Sequence, residues 1–398
     1  MLRVIVACIL LFACQACIAQ QDSLNYASSA QHTHVRVSLI TCGMGYEEWQ
    51  TFGHTTLRVI DSEKTGIHKD IVYNYGTFNN FNGNFEWVFF TGTMIYFLNV
   101  VNFNNFINEY VQTGRGVIEQ ELLLTPQQRA HIISRLEENA LLKNRDYQYD
   151  VFSNNCCTKV RDLISEAFGA GFVYGQAFPP HMRLSLRTAY NEYYKERPWE
   201  RVGLNIVIGS LTDTIVSNNG IMFIPDFLSK CAATATFNGK KAFGDKITIL
   251  EDHINLPSII DGPFMLTCIV ALLTIMGLSV PRLHILGTVM SNLVLVISGV
   301  FGCLIVFFWF FSNHVCAHYN FNILWAAPTN ILLPFIRFKW KSRYALIGMW
   351  LICVALLADI FKVQVMPLYE LAPFLLAQIC VYGGIYRRSK INVSPAVN

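Results

Sequence analysis

The chain has 398 residues, 53% of them hydrophobic and only 14% charged, with a mean hydropathy of +0.36. These values exclude a disordered polypeptide and an ordinary soluble enzyme and indicate a membrane protein, while the lack of a basic patch interleaved with aromatics gives no support to a nucleic-acid partner. The net charge of +3 hides a split: through Pro263 there are 21 Lys and Arg against 25 Asp and Glu, a balance of −4, and from Phe264 onward 9 against 2, a balance of +7.

The opening MLRVIVACILLFACQACIAQQ places Arg3 before an uncharged apolar run that closes in small residues at Ala19. This is the pattern of a secretory signal, expected over residues 1–19 and cleaved near Ala19. A retained anchor, or lipid attachment at Cys14 or Cys17, is the competing reading. Each of these exports the segment that follows, residues 20–263, which is long enough to bury its own core.

Within that segment VRVSLITC from Val35, TTLRVI from Thr55 and DIVYNYG from Asp70 read as strands. LTPQQ predicts a helix start, with Thr125 as cap, Pro126 in the first position and Gln128 completing the capping box. A second helix is expected over CCTKVRDLISEAFG. Val160, Leu163, Ile164, Ala167 and Phe168 form its apolar face, Asn154 or Asn155 caps it, and Gly169 stops it.

This frame sets Cys156 and Cys157 in the first helical turn, where unpaired amides and the helix dipole favour a thiolate. Exported cysteines also form disulfides, and Cys42 or Cys231 could pair with either member of the doublet. The candidate base is His54 in TFGHTTLRV, preceded by a turn glycine, Gly53, and carried on a rigid strand. A lone histidine at a strand edge is otherwise an ordinary surface residue, and His32, His34, His68, His131 and His181 lack comparable surroundings. No HExxH or CxxC motif brings metal ligands together, and no organic cofactor is called for.

The stretch NFNNFNGNFEWVFFTGTMIYFLNVVNFNNF reads first as core and second as an acyl groove. HMRLSLRTAYNEYYKERPW offers Arg183, Arg187, Lys195, Glu196 and Arg197 to lipid headgroups or to water.

From Phe264 the chain changes solvent. FMLTCIVALLTIMGLSV is uncharged for 17 residues, and the stretch from His284 to Phe311 lacks Asp, Glu, Lys and Arg for 28. A bilayer core takes about 20 residues of helix, so both are spans. Three more are expected: Asn320 to Ile336, interrupted by Pro328 and Pro334; Tyr344 to Phe361; and Leu368 to Tyr386. Residues 264–398 thus form a transmembrane domain of about five helices. Starting outside, five crossings put Arg282, then Arg337, Lys339, Lys341 and Arg343, and finally Arg387, Arg388 and Lys390 on the cytoplasmic side, obeying the positive-inside rule at all three sites.

The ordered set VSLITCGMGYEEWQTFGHTTLRV, DIVYNYGTFN, GRGVIEQELLLTPQQ and YQYDVFSNNCCTKVRDLI, followed by a multi-span tail, resembles the Bacteroidetes lipoprotein N-acyltransferases. The resemblance covers most of Val37 to Phe168, weakens through the rest of the exported part and resumes in the tail. It implies an α+β, circularly permuted papain-like (NlpC/P60-like) periplasmic domain followed by an α-helical transmembrane bundle, held in the inner membrane with its C-terminus cytoplasmic. It also implies a reaction. An acyl chain moves from a phospholipid donor to Cys156 and on to the α-amine of a diacylated lipoprotein acceptor, with His54 moving the protons and no cofactor. Asn74, in VYNYG, is the residue expected to orient the imidazole. The family's aspartate before the cysteine is replaced here by Asn154, and Cys157 stands where another small residue is usual.

Three alternatives stay open on sequence: a phospholipase or thioesterase of the same fold, a cell-wall peptidase, and a non-catalytic lipid-binding membrane protein.

Overall fold

The alternation of VRVSLITC and its neighbours becomes a seven-stranded antiparallel sheet. The computed structural model describes residues 34–78, 85–179, 182–255, 260–335 and 340–391; the expected signal, with Arg337 and Lys339, lies outside the described residues. The strands are β1 (Val35–Cys42), β2 (His54–Asp61), β3 (Asp70–Thr77), β4 (Ile95–Asn102), β5 (Val117–Glu121), β6 (Asp146–Gln148), β7 (Phe172–Val173), β8 (Thr236–Phe237), β9 (Lys240–Lys241) and β10 (Ile247–Leu250). The large sheet has the order β10-β5-β1-β2-β3-β4-β6, and β7-β8-β9 form a small second sheet.

The helices are α1 (Phe85–Thr91), α2 (Phe103–Thr113), α3 (Pro126–Ala140), α4 (Cys156–Phe168), α5 (Leu186–Tyr193), α6 (Pro198–Val207), α7 (Asn218–Ile221), α8 (Pro225–Ala233), α9 (Gly262–Ser279), α10 (His284–Phe310), α11 (Lys341–Ile360) and α12 (Leu368–Ile391).

The chain divides into two compact units. Of the described residues, one takes in those within 34–78, 94–182 and 217–255; the other takes in those within 85–93, 183–216 and 260–391. α1 and the α5–α6 segment group with the apolar helices.

In the first unit, strand pleating decides which helix covers which residue. Phe103, Phe106 and Tyr110 of α2 lie against Ile40, Cys42, Val72 and Val117. The alternate residues Thr41 and Thr55, paired across β1 and β2, lie on the other face, where α4 packs on β2 and β3. The apolar stripe foreseen for α4 is buried throughout. The box predicted for α3 also forms: the Thr125 hydroxyl accepts from the Gln128 amide, and the Gln128 side chain accepts from the Thr125 amide. Arg58 ties the sheet together by donating twice to Asp70, at 2.8 and 2.6 Å, and once to Glu119, at 2.9 Å. Burial makes this arrangement depend on every partner being present.

Among the described residues the second unit holds four helices long and apolar enough to cross a membrane: α9, the stretch Pro281–Phe310 containing α10, α11, and Leu368–Arg388 within α12. The third expected span is not a helix. Its described part is a pair of 3-10 segments, Phe321–Leu324 and Pro328–Leu332, because Pro328 and Pro334 cannot continue an α-helical ladder. The Phe321 amide donates to the Gln364 side chain just past the end of α11, at 2.7 Å, while Asn330 accepts from Tyr344 in the first turn of α11, also at 2.7 Å. The segment therefore runs antiparallel to α11 along most of its length.

Side chains satisfy the backbone and polar groups that this irregular path leaves open. Gln378 donates to the Trp325 carbonyl at 2.8 Å, Tyr382 donates to Asn330 at 2.7 Å, and Asn330 donates to Ser298 at 3.0 Å. Non-helical backbone is tolerable at membrane depth when it is buried in protein in this way. Asn320, at the start of the third expected span, is fully buried and donates to the Ile206 and Val207 carbonyls at the end of α6. Arg187, expected to meet headgroups or water, is also buried; it donates to Asp213, Asn205 and the Ile208 and Gly209 carbonyls.

Candidate active site

Gly53 opens the site. Its φ of +78° belongs to the left-handed region, and a Cβ there would strike the Cys42 carbonyl oxygen, so only glycine makes this turn into β2. The turn delivers His54 as the first residue of β2, across from Cys42 at the end of β1. On the neighbouring strand, the pairing of β3 with β4 breaks register between Asn74 and Thr77, an irregularity of the kind that re-aims side chains beside functional sites. His54 donates through Nε2 to the Asn74 side-chain oxygen at 2.6 Å, so Nδ1 is the nitrogen left for another partner.

That partner comes from α4. Asn155, rather than Asn154, is the cap: its side-chain oxygen accepts from the Thr158 amide at 2.9 Å, and its amide group donates to the Val151 and Phe223 carbonyls, both at 2.8 Å. The cap consumes the third amide of the helix and the Lys159 amide starts the ladder, leaving the Cys156 and Cys157 amides at the positive end of the dipole. Asn154 has a different task, donating to the Gln148 carbonyl at 2.5 Å and closing the loop with Asp150. An aspartate could not make that donation.

The two cysteines divide by face. Cys157 is fully buried and its thiol donates to the Thr55 hydroxyl at 3.2 Å, whereas Cys156 turns toward His54. Gly76 makes the approach possible. A Cβ on it would lie 3.4 Å from both the Cys156 Cβ and the His54 Cε1 and 4.0 Å from the Tyr147 hydroxyl, so the space a side chain would fill is the space where these groups converge.

Electrostatics follow from the geometry. A hydrogen bond from Cys157 holds the Cys156 thiol well below the usual thiol range; burial opposes it, while the charge and hydrogen bond of His54 and the Thr55 amide reinforce it. Burial pushes the Cys157 thiol well up, and the neighbouring Cys156 adds to the rise. The result is one thiolate, on Cys156, beside one neutral thiol, on Cys157. For His54, burial alone would lower the pKa, but the Cys156 charge, its hydrogen bond and that of Asn74 raise it above the ordinary 6.5. The arrangement favours a thiolate–imidazolium pair with the ring fixed from behind.

Cys156, His54 and Asn74, the residues singled out in the sequence, thus lie together. The disulfide alternative does not form, since Cys42, Cys156, Cys157 and Cys231 are all free thiols. His34 pairs with Asp61 at 2.9 Å and His131 with Glu166 at 3.2 Å, both away from the cysteine. Among the described residues no three His, Cys, Asp or Glu side chains gather closely enough to hold a metal ion. Sequence reasoning passed over Gly76, Thr55 and Tyr147. Tyr147 stands in YQYD, just ahead of the cysteine doublet, but an aromatic among aromatics carries no signal of its role.

Residues 22–183 match the family model of the Lnb N-terminal periplasmic domain, and residues 258–389 match that of the Lnb transmembrane domain. The chain is a Lnb-family protein. It carries a periplasmic domain followed by a transmembrane tail, in the order the two matches give. No curated protein and no solved structure matches it.

Proposed function

We propose that this Lnb-family protein is a cysteine acyltransferase that N-acylates lipoproteins. The observation that carries the reading is the arrangement of Cys156, His54 and Asn74 at the first turn of α4, with the cysteine pKa depressed and the histidine pKa raised. The histidine strand preceding the cysteine helix in the chain also supports a permuted papain-like arrangement.

In the first half-reaction the Cys156 thiolate attacks the carbonyl carbon of a phospholipid acyl ester. The tetrahedral intermediate collapses by breaking the carbon–oxygen ester bond, and the departing alkoxide takes the proton from His54. A thioester and a lysophospholipid result. In the second, the neutral α-amine of a diacylglyceryl-cysteine attacks the thioester carbonyl, neutral His54 accepts the amine proton, and the Cys156 thiolate leaves. The product is an amide, and both the protein and the proton balance return to the start.

The donor is an ester, so no ATP is consumed. Both substrates keep long chains in lipid, and at about 0.8 kcal/mol per methylene removed from it, extracting even part of a 16-carbon chain into water costs several kcal/mol. Attachment to membrane helices removes the need for extraction. On this reading the domain works from the periplasmic side, and the positive-inside rule assigns the C-terminus, with Arg387 and Arg388, to the cytoplasm when the irregular segment along α11 also crosses.

The test is purified full-length protein given phospholipid and a diacylated lipopeptide. An N-acylated peptide is expected, and its loss in Cys156→Ala. Free fatty acid as the sole product, with no N-acylated peptide, would assign the site to a hydrolase instead.

A further inference from the structure

A buried hydroxyl with no acceptor for its proton is costly, by roughly 1–3 kcal/mol, and in a native site calls for an explanation. The Tyr147 hydroxyl is such a group: among the described residues no acceptor takes its proton. The ring is held on three sides. It meets Tyr75 edge to face at a centroid distance of 6.4 Å, the Lys159 ammonium lies 4.9 Å from its centroid, and β6, which carries it, pairs with β4 through Tyr96. The hydroxyl is therefore positioned rather than free to seek another partner. It points to the space over Gly76 that Cys156 and His54 also border. Burial keeps the phenol protonated, and the nearby Cys156 charge does so further.

We infer that Tyr147 is a further catalytic residue, whose hydroxyl donates to the oxyanion formed when Cys156 adds to an acyl carbonyl. The inference rests on the acyl-transfer reading. As the sulfur–carbon bond forms, the carbonyl π electrons move onto oxygen, and that oxygen gains the acceptor capacity the resting Tyr147 hydroxyl lacks. When the carbonyl re-forms and the leaving oxygen takes the His54 proton, Tyr147 keeps its own proton and again has no acceptor for it. The donor is engaged in the transition state and idle in the ground state, which is the condition for accelerating the step rather than only binding substrate. The Cys156 and Cys157 amides at the start of α4 are the backbone donors that would act with it.

Tyr147→Phe tests this in the full-length protein in phospholipid micelles. Loss of one oxyanion donor lowers acyl-enzyme formation roughly 10²- to 10³-fold. Alkylation of Cys156 by iodoacetamide proceeds by direct displacement and forms no oxyanion, so its rate and pH profile should stay within about 2-fold of wild type, an order-of-magnitude expectation for a group outside that step. The midpoint of thermal unfolding should be little changed, because the substitution deletes a donor that has no acceptor in the resting site. Acylation at the wild-type rate in the variant overturns the assignment, as does a parallel fall in alkylation, which would make Tyr147 a residue that shapes the thiolate. If the wild-type protein is alkylated at Cys156 but never acylated by phospholipid, the acyl-transfer reading itself falls, and the role of Tyr147 with it.

Discussion

His54 turns its Nε2–H to the Asn74 side-chain oxygen at 2.6 Å, which fixes the tautomer and leaves Nδ1 for Cys156. The tautomer is the point of the contact. Without Asn74 the ring could flip or protonate on the wrong nitrogen, so Asn74→Ala should lower turnover by roughly 10²-fold while leaving the fold intact. Steady-state kinetics with phospholipid and lipopeptide, beside a thermal unfolding curve, checks both statements.

The ion pair gives a signed pH dependence. Cys156 ionises below its ordinary 9.0, and His54 loses its proton above its ordinary 6.5. Acylation is therefore expected to rise as pH passes the folded Cys156 value and to fall as pH passes the folded His54 value. The stabilising contribution of Cys156 is complete above its unfolded pKa and disappears as pH falls through the folded one. That of His54 is complete below 6.5 and disappears as pH rises through the folded value. In His54→Ala, the midpoint of iodoacetamide alkylation should move up toward 9.0; a midpoint equal to wild type would mean that His54 does not hold the thiolate.

Gly76 is the gap through which the two groups meet. Its φ of +92° strains any other residue, and a methyl would touch both the Cys156 Cβ and the His54 ring. Gly76→Ala should cost about 1–3 kcal/mol of stability and lower acylation more steeply than alkylation, because the acyl carbonyl must enter the space the methyl fills. Comparing the two rates with chemical denaturation separates crowding from unfolding.

Asn154 shows where family expectation and local chemistry part. The aspartate expected there is replaced by a side chain that donates to the Gln148 carbonyl at 2.5 Å. Asn154→Asp puts a carboxylate against that carbonyl, so a loss of roughly 1–3 kcal/mol is expected, measured as a lower denaturant midpoint.

Much of this is legible in the sequence alone. Periodicity found β1 to β3 and the buried face of α4, and the capping box at Thr125 was readable letter by letter, because such features depend on residues three or four apart. The companionship of His54, Asn74 and Cys156 depends on contacts across up to 102 positions, and motif resemblance rather than spacing suggested it. Asn155 and Asn154 were interchangeable as candidate caps; only the carbonyls of Phe223 and Gln148, distant or looped back, tell them apart. The third span failed as a helix for a local reason, its two prolines. What takes its place was not readable, since Gln364, Gln378 and Tyr382 supply its hydrogen bonds from elements still to come in the chain.

That segment has a consequence for topology. If the irregular path along α11 crosses the bilayer as a fifth passage, Arg282, Lys341 and Arg387 share the cytoplasmic side. Single cysteines introduced beside these positions into a protein cleared of its native exposed thiols should resist a membrane-impermeant maleimide in intact cells and react after permeabilisation. Labelling of both the Lys341 and the Arg387 sites in intact cells, with the Arg282 site still protected, would reduce the crossings to four.

The most direct test of the central claim is intact-protein and peptide mass spectrometry after brief exposure to phospholipid, with the lipopeptide acceptor withheld. A single acyl mass increment on the peptide bearing Cys156, sensitive to hydroxylamine, absent in Cys156→Ala and discharged when the lipopeptide is added, is the predicted result. An increment located on Cys157, or N-acylation that persists undiminished in Cys156→Ala, would contradict it.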